Sequence, residues 1–570
     1  MAKKTLQSPF FFIAACFLLY LVFSLPSWTE PVMGDEVGLM LAGRAVFQKG
    51  ITAFFVAHGD KLFGIWHPPG FVLTIGALGR MLGVNEVSAR LLGISCFLVS
   101  LILIYLICGE VFKKGRNAGS AGLWACLIYA LNPLAQRGSL LIDMDGTILN
   151  TAALFFIWLI SRAQYPGLTV KQMLILGLSL SLVMFIKLST PLLIVGAFLA
   201  YLLSIREMEK AKQLIRISCC AVILFSAAWF VYCWSNARDP GDVLFVPLSV
   251  LTRFRAEASS LQGWDGFARN AWSVLVWASP SFIILSVVSL TAFFKQGGGR
   301  DEPLPAGQLA VYGIASGVIY LFVGGVTHSF PKYHAAVIPV LCIFIGWFLS
   351  EKLSFKKEEM PVLFICASGL MLYNIFVVGD PLYGINYRLK EAFILSNGLM
   401  ARQVLFKEAA RFLLIIAALP VAYLFLARKV NHPWLTVLLL TMAGSNMALS
   451  FVQANAGYNT VYCYGAKGVR ETAAFVRANS DAAEPIIAPT EIKWLANENL
   501  LSYVLNKDLR GSDMFIRAMK EHKINCLVYG VTGNSLSQYR NIFNQGSVRE
   551  FLENGFTASQ IGSYTVWLRK

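Results

Sequence analysis

Charge is scarce in this sequence. Asp, Glu, Lys and Arg make up 14% of its 570 residues, histidine adds six, and 56% of the chain is hydrophobic. Soluble domains carry roughly 25% charged residues, so a water-facing globular fold is excluded for most of the chain. No CxxC pair or Cys/His cluster points to a metal site, and there is no internal repeat or low-complexity tract. The C-terminal segment has neither a glycine-rich phosphate loop nor a nucleophile elbow. Nine of the eleven cysteines lie in or beside apolar runs, where they read as small packing residues. The other two, Cys463 and Cys526, either pair in an oxidising compartment or, given the apolar run Ile524-Asn525-Cys526-Leu527-Val528-Tyr529, leave Cys526 as a buried free thiol.

Long apolar runs fill the space that charge vacates, and the mean hydropathy is +0.61. The first run, Pro9 to Trp28, holds about 20 predominantly apolar residues, enough to cross a bilayer core. No small-x-small cleavage pattern follows it, so it reads as an uncleaved anchor. Further spans are expected at 88–112, 119–135, 147–162, 172–187, 190–205, 217–235, 271–294, 307–326, 335–351, 360–378, 412–427 and 434–452. The fold expected is an α-helical polytopic membrane protein of about 13 transmembrane helices, followed by a C-terminal soluble α/β domain.

Basic residues collect in alternate connections: Lys3-Lys4, Lys113-Lys114-Arg116, Arg162 with Lys171, Arg206 to Arg216, Lys295 with Arg300, Lys352 to Lys357, and Arg428-Lys429. The positive-inside rule puts these in the cytoplasm. The N-terminus is then cytoplasmic, and the loops 29–87, 136–146, 236–270, 327–334 and 379–411, with everything after about 453, face outward. Topology accounts for only part of the net charge of +16. Arg44, Lys61, Lys187, Arg253, Arg255, Arg269 and Lys332 lie on the outer side, where an anionic substrate would explain them. Nucleic acid is not expected, because these charges are spread over loops pressed against a membrane.

Two domains are expected, residues 1–452 with structured external loops and an external, periplasmic domain over 453–570. Within 463–570 the periodicity gives helices at Gly468–Ala478, Met514–His522 and Arg549–Asn554, and strands at Glu484–Ala488, Ile524–Tyr529 and Ile561–Leu568. In the first external loop, Val37–Gln48 has apolar residues at helical spacing, suited to a helix in the interface plane. His67-Pro68-Pro69-Gly70 breaks any helix and reads as a rigid turn.

Several acidic and basic positions on the outer side stand out. Asp35-Glu36 follows the first span, and Asp143-Met144-Asp145-Gly146 precedes the span at Thr147. The first pair would also serve to cap the interfacial helix, and Asp145 is well placed as an N-cap. Lys187 ends a span, where the alternative to ligand binding is snorkelling to the surface. Tyr333 in Lys332-Tyr333-His334 would suit an interfacial aromatic belt.

The order Gly34-Asp35-Glu36, Ala42-Gly43-Arg44, Gly50, Phe63 to Pro68-Pro69, Gly83-Val84-Asn85-Glu86, Ala89-Arg90-Leu91 resembles the first loop of bacterial polyprenyl-phosphate-sugar-dependent glycosyltransferases. The chain resembles the GT-C superfamily, of the aminoarabinose lipid A transferase and protein O-mannosyltransferase type. The resemblance implies an inverting transfer of a sugar from a polyprenyl (undecaprenyl) phosphate donor to a lipid, glycan or protein acceptor at the periplasmic face of the inner membrane.

It also implies roles. Asp35 matches the family's acidic position and is the expected base, Glu36 holds the loop or a substrate hydroxyl, and either Asp143 or Asp145 is the second acid. His67, Lys187, Arg253 or Arg255, Lys332, Tyr333 and His334 are the expected phosphate-binding set. His67 stands where the aminoarabinose transferases carry a lysine, and Val37-Gly38-Leu39 departs from their usual arginine or aromatic, which points to an acceptor other than lipid A. No cofactor is required by the sequence; a divalent Mg or Mn between the carboxylate loops and the phosphate is compatible with it. The rival class is a multi-span transporter of an anionic substrate. A third reading makes the external domain the working part and the spans its anchor.

Overall fold

The computed structural model describes residues 9–25, 68–83, 85–113, 117–163, 167–235, 277–296, 304–323, 332–352, 468–480, 486–496, 511–521, 523–530, 545–562 and 564–570, with single positions between 28 and 43 and between 267 and 274. Asp35, His67, Arg253, Arg255 and Cys463, and the spans expected at 360–378, 412–427 and 434–452, lie outside the described residues. The chain divides into two compact units, Met1–Trp28 with Ala42–Val452, and Thr29–Leu41 with Gln453–Lys570.

The first unit is helical: α1 (Pro9–Ser24), α2 (Gly70–Leu82), α3 (Glu86–Val111), α4 (Ala118–Leu131), α5 (Pro133–Leu140), α6 (Ile148–Arg162), α7 (Val170–Ile186), α8 (Ser189–Ser204), α9 (Met208–Ser235), α10 (Pro280–Lys295), α11 (Leu304–Val323), a 3₁₀ turn (Lys332–Ala336) and α12 (Ile338–Lys352). Among the described residues three helices are long and apolar enough to cross a membrane by themselves, within α3, α9 and α11, or four if the bent pair α4–α5 is one span. The 26 residues of α3 rise about 39 Å, more than a hydrocarbon core of about 30 Å. Its start is fixed by a reciprocal cap, in which Asn85 Oδ1 accepts from the Ser88 amide at 2.9 Å and Ser88 Oγ from the Asn85 amide at 3.1 Å. This gives the Gly83–Glu86 motif a local reason: it turns the chain into α3.

Three expectations change here. The span at 119–135 is broken, because Pro133 has no amide to continue α4 and the chain bends by 64° into α5. Asn132 Oδ1 caps the new helix at the Ala135 amide, 3.0 Å away. Residues 136–140 are therefore not an outer loop but a fully buried helix carrying Gln136, Arg137 and Ser139. The Pro68-Pro69 turn stays outside any helix, as expected, and α2 starts directly after it at Gly70. The span expected at 217–235 begins earlier, at Met208.

The second unit contains α13 (Val469–Asn479), β1 (Ile486–Ile487), α14 (Thr490–Ala496), α15 (Ser512–Glu521), β2 (Cys526–Gly530), α16 (Gly546–Gly555), β3 (Phe556–Ile561) and β4 (Tyr564–Arg569). The sheet order is β1-β2-β4-β3, with β1 parallel to β2 and the other pairs antiparallel. Ile487, Phe515, Met519, Ile524, Leu527, Val548, Leu552 and Phe556 form its core. Cys526 is a buried free thiol, and burial pushes it up to about 12. The last strand was expected from Ile561; instead the chain makes a hairpin at Gly562, and the polar, alternating Phe556–Ile561 forms a strand of its own. Residues 36–40, with 42 and 43, are helical, as the periodicity of the first loop indicates. Within this unit the Arg470 guanidinium donates to the Thr29 carbonyl at 2.5 Å.

Candidate active site

The residues of Asp143-Met144-Asp145-Gly146 leave α5 and enter α6 through a buried, non-helical segment. A close backbone approach holds it in place. A Cβ on Gly146 would collide with the Gly138 carbonyl of α5, so only glycine lets the segment fold back onto that helix. Thr147, not Asp145, is the N-cap of α6. The capping role open to Asp145 is thus ruled out, and its carboxylate is directed elsewhere.

It meets Lys187. The Lys187 ammonium donates to Asp145 Oδ1 in an ion pair whose side chains are 5% and 7% exposed. Lys187 does not snorkel: it ends α7 and turns inward. Asp143 Oδ2 accepts from Lys332 at 2.8 Å, and Asp143 Oδ1 from the Met144 amide at 2.6 Å. Each candidate second acid is matched by a different candidate phosphate lysine. Burial is the largest influence on Asp145 and pushes its carboxyl above the usual range, against the pull of the Lys187 ammonium.

Tyr333 joins the two pairs. Lys187 Nζ lies 4.4 Å and Lys332 Nζ 5.7 Å from its ring centroid. The ring is half-buried and stacks on Tyr320 at 5.9 Å, so one face packs within the unit. His334 is buried with its ring edge to Tyr320 at 5.8 Å, and neither ring nitrogen makes a well-formed hydrogen bond among the described residues. Burial depresses it to about 4, which leaves it neutral at pH 7. Tyr320 carried no signal in the sequence, being one aromatic in an apolar span; only packing reveals it.

The Pro68-Pro69 turn reaches the same neighbourhood. A Cβ on Gly70 would stand 2.7 Å from the Phe185 carbonyl, two residues before Lys187. The turn therefore abuts the chain that presents this lysine. Glu36 is buried in the second unit. The buried charged residues described in the first unit, Arg90, Arg137, Asp143, Asp145 and Lys187, sit at or beside helix ends joined by loops assigned to the outer side.

Among the described residues no group of three or more His, Cys, Asp or Glu could hold a metal ion. Asp143 and Asp145 have lysine counter-ions instead, so these two carboxylates do not fit a divalent cation as they stand. No step is routed through one.

Residues 66–234 match the family model described as dolichyl-phosphate-mannose-protein mannosyltransferase. The crystal structure of ArnT from Cupriavidus metallidurans bound to undecaprenyl phosphate superposes with a TM-score of 0.60 at 15% identity, covering 98% of this chain and 97% of that one. The chain has the GT-C fold. The apo state of the same ArnT superposes with a TM-score of 0.59 at 16% identity, over 100% of this chain and 98% of that one. Comparison with curated proteins gives no match. The family match covers α2 through most of α9, and so includes the Pro-Pro turn, the Asp143–Asp145 segment and Lys187 of the GT-C fold.

Proposed function

We propose that the protein is a membrane glycosyltransferase that moves a sugar from a polyprenyl phosphate, undecaprenyl phosphate in a bacterial membrane, to a lipid, glycan or protein acceptor on the periplasmic side, with inversion at the anomeric carbon. The carrying observation is the cluster Asp145–Lys187–Tyr333–Lys332–Asp143, one buried and one half-buried lysine near one aromatic ring within a GT-C fold. ArnT of the same fold binds undecaprenyl phosphate, which supports extending that ligand class to this site.

In the proposed reaction, an acceptor hydroxyl attacks the anomeric carbon as the bond to the phosphate oxygen breaks. The electron pair leaves on the phosphate, and the proton passes to a carboxylate, assigned to Asp35. Lys187 and Lys332 stabilise the departing negative charge, and in a site shielded from water such charges act more strongly than at a surface. His67, Tyr333, His334 and one of Arg253 and Arg255 complete the phosphate-binding set, with Glu36 on a substrate hydroxyl. An anion transporter is disfavoured because transporters place ionisable groups near the bilayer midplane, whereas these gather at helix ends.

The test is transfer in vitro from a panel of radiolabelled polyprenyl-phosphate sugars to membrane lipid and protein fractions. Wild type should label one fraction from one donor, and Asp35→Asn should reduce the rate by on the order of 10³-fold or more while the protein stays folded. Folded wild-type protein that transfers from no donor would overturn the reading in favour of transport.

A further inference from the structure

Tyr320 lies in α11, an apolar helix in which a leucine would fill the space without bringing a hydroxyl into it. The side chain is 7% exposed. Its hydroxyl lies beside Ser189 and Thr190, in the first turn of α8 and just after Lys187 in the chain. Its ring meets the Lys332–Ala336 turn twice. It stacks on Tyr333 with centroids 5.9 Å apart and an interplanar angle of 19°, and it stands at 63° to the His334 ring with centroids 5.8 Å apart. One side chain thus touches both stretches that carry the candidate phosphate lysines, the start of α8 after Lys187 and the turn that begins at Lys332.

The turn needs support from outside itself. It is five residues of 3₁₀ helix, whose hydrogen bonds are poorer than those of an α-helix. Tyr333 within it is half-buried, so burial alone does not fix its ring. The cluster nevertheless depends on where that ring stands. Lys187 Nζ is 4.4 Å and Lys332 Nζ 5.7 Å from its centroid, and a cation is drawn to the face of an aromatic ring, not to its edge. A stacked aromatic partner restrains the plane of the ring, because the quadrupoles of the two rings favour particular mutual orientations.

We propose that Tyr320 is a positioning residue for the donor phosphate: by stacking on Tyr333 it fixes the plane of that ring and, through it, the place where Lys187 and Lys332 meet the phosphate. This rests on the proposed function for its effect on donor affinity, but not for its effect on the turn. Tyr320 acts through Tyr333 and not on the donor. Its contribution to affinity therefore exists only while the Tyr333 ring is present, whereas a residue that merely filled space would be felt whatever stood at 333.

The test uses full-length protein in detergent and compares wild type with Tyr320→Phe, Tyr320→Leu, Tyr333→Leu and the double variant Tyr320→Leu/Tyr333→Leu. Three readouts are taken: the Kd of undecaprenyl phosphate, the Tm, and backbone hydrogen exchange by peptide. Tyr320→Leu should weaken binding about 5- to 10-fold and quicken exchange in peptides covering 332–340, with α13 unchanged. Tyr320→Phe keeps the ring and should bind within about twofold of wild type. In the Tyr333→Leu background, Tyr320→Leu should change Kd by less than about twofold while still lowering Tm. Should Tyr320→Leu fail to fold, Tyr320→Met, which lacks the ring but adapts to irregular gaps, takes its place. Equal losses of affinity in both backgrounds, Tyr320→Phe as weak as Tyr320→Leu, or unchanged binding by Tyr320→Leu would overturn the proposal. If wild type binds no undecaprenyl phosphate, the functional reading fails by itself, and exchange at 332–340 still decides whether Tyr320 holds the turn.

Discussion

The pairs Lys187–Asp145 and Arg517–Glu521 are built from the same charges, yet their side chains are 5% and 7% exposed in the first and 78% and 55% in the second. Arg517–Glu521 spans one turn of α15 on the surface of the second unit, as Arg549–Glu553 does on α16. Such i,i+4 pairs arise wherever an amphipathic helix presents its polar face to water, and they contribute little to stability. Lys187–Asp145 joins segments 42 residues apart and keeps both charges out of water. Desolvating two ions costs more than packing apolar groups of similar size, so their retention calls for another purpose. In the second unit, stability comes from the apolar core around Phe515, Leu527 and Leu552, and charge is decoration. In the first, charge is concentrated where the proposed chemistry needs it.

The largest effect is expected from splitting the buried pair. Lys187→Met strands the Asp145 carboxylate, which should cost about 3–5 kcal/mol in detergent unfolding and remove transfer. The double variant Lys187→Met/Asp145→Leu should regain most of the stability but none of the transfer. Recovery of transfer along with stability would make the pair a structural device and erase the contrast with the second unit.

A smaller effect belongs to His334. Its folded pKa of about 4 lies below the ordinary value of 6.5, so between those values the unfolded chain binds more protons than the folded one. Stability should therefore be complete above about pH 6.5 and decline as pH falls toward 4, by up to roughly 3 kcal/mol. His334→Gln should flatten the Tm profile in that window; an unchanged profile would show that the imidazole is not held neutral by burial. At the far end of the scale, Arg517→Ala should leave both Tm and transfer unchanged, and a measurable loss of transfer would show that the surface pair is not inert.

Much of this was legible in residue order alone. Apolar runs gave α1, α3, α6, α7 and α8 near their observed limits, and α13, α15 and α16 followed from helical spacing. Asp143, Asp145, Lys187, Lys332, Tyr333 and His334 were singled out by residue type at span ends read as outer, and all six come together in the first unit. Local reasoning failed where two local outcomes compete. Asp145 fits an N-cap and Lys187 a snorkelling position as well as they fit an ion pair. Phe556–Ile561 is too polar on one face to announce a strand, and it becomes one because β4 lies beside it.

The sequence by itself determined that this is a membrane protein with a compositionally distinct C-terminal segment, because hydrophobic length and charge distribution act locally and need no partner. It also determined which residue types stand at the ends of the spans. Only the tertiary structure decided that Asp145 takes Lys187 while Asp143 takes Lys332, and that Tyr320 backs Tyr333. Partners as far apart as 189 residues in the case of Asp143 and Lys332 are chosen by how helices pack, and no local pattern carries that choice.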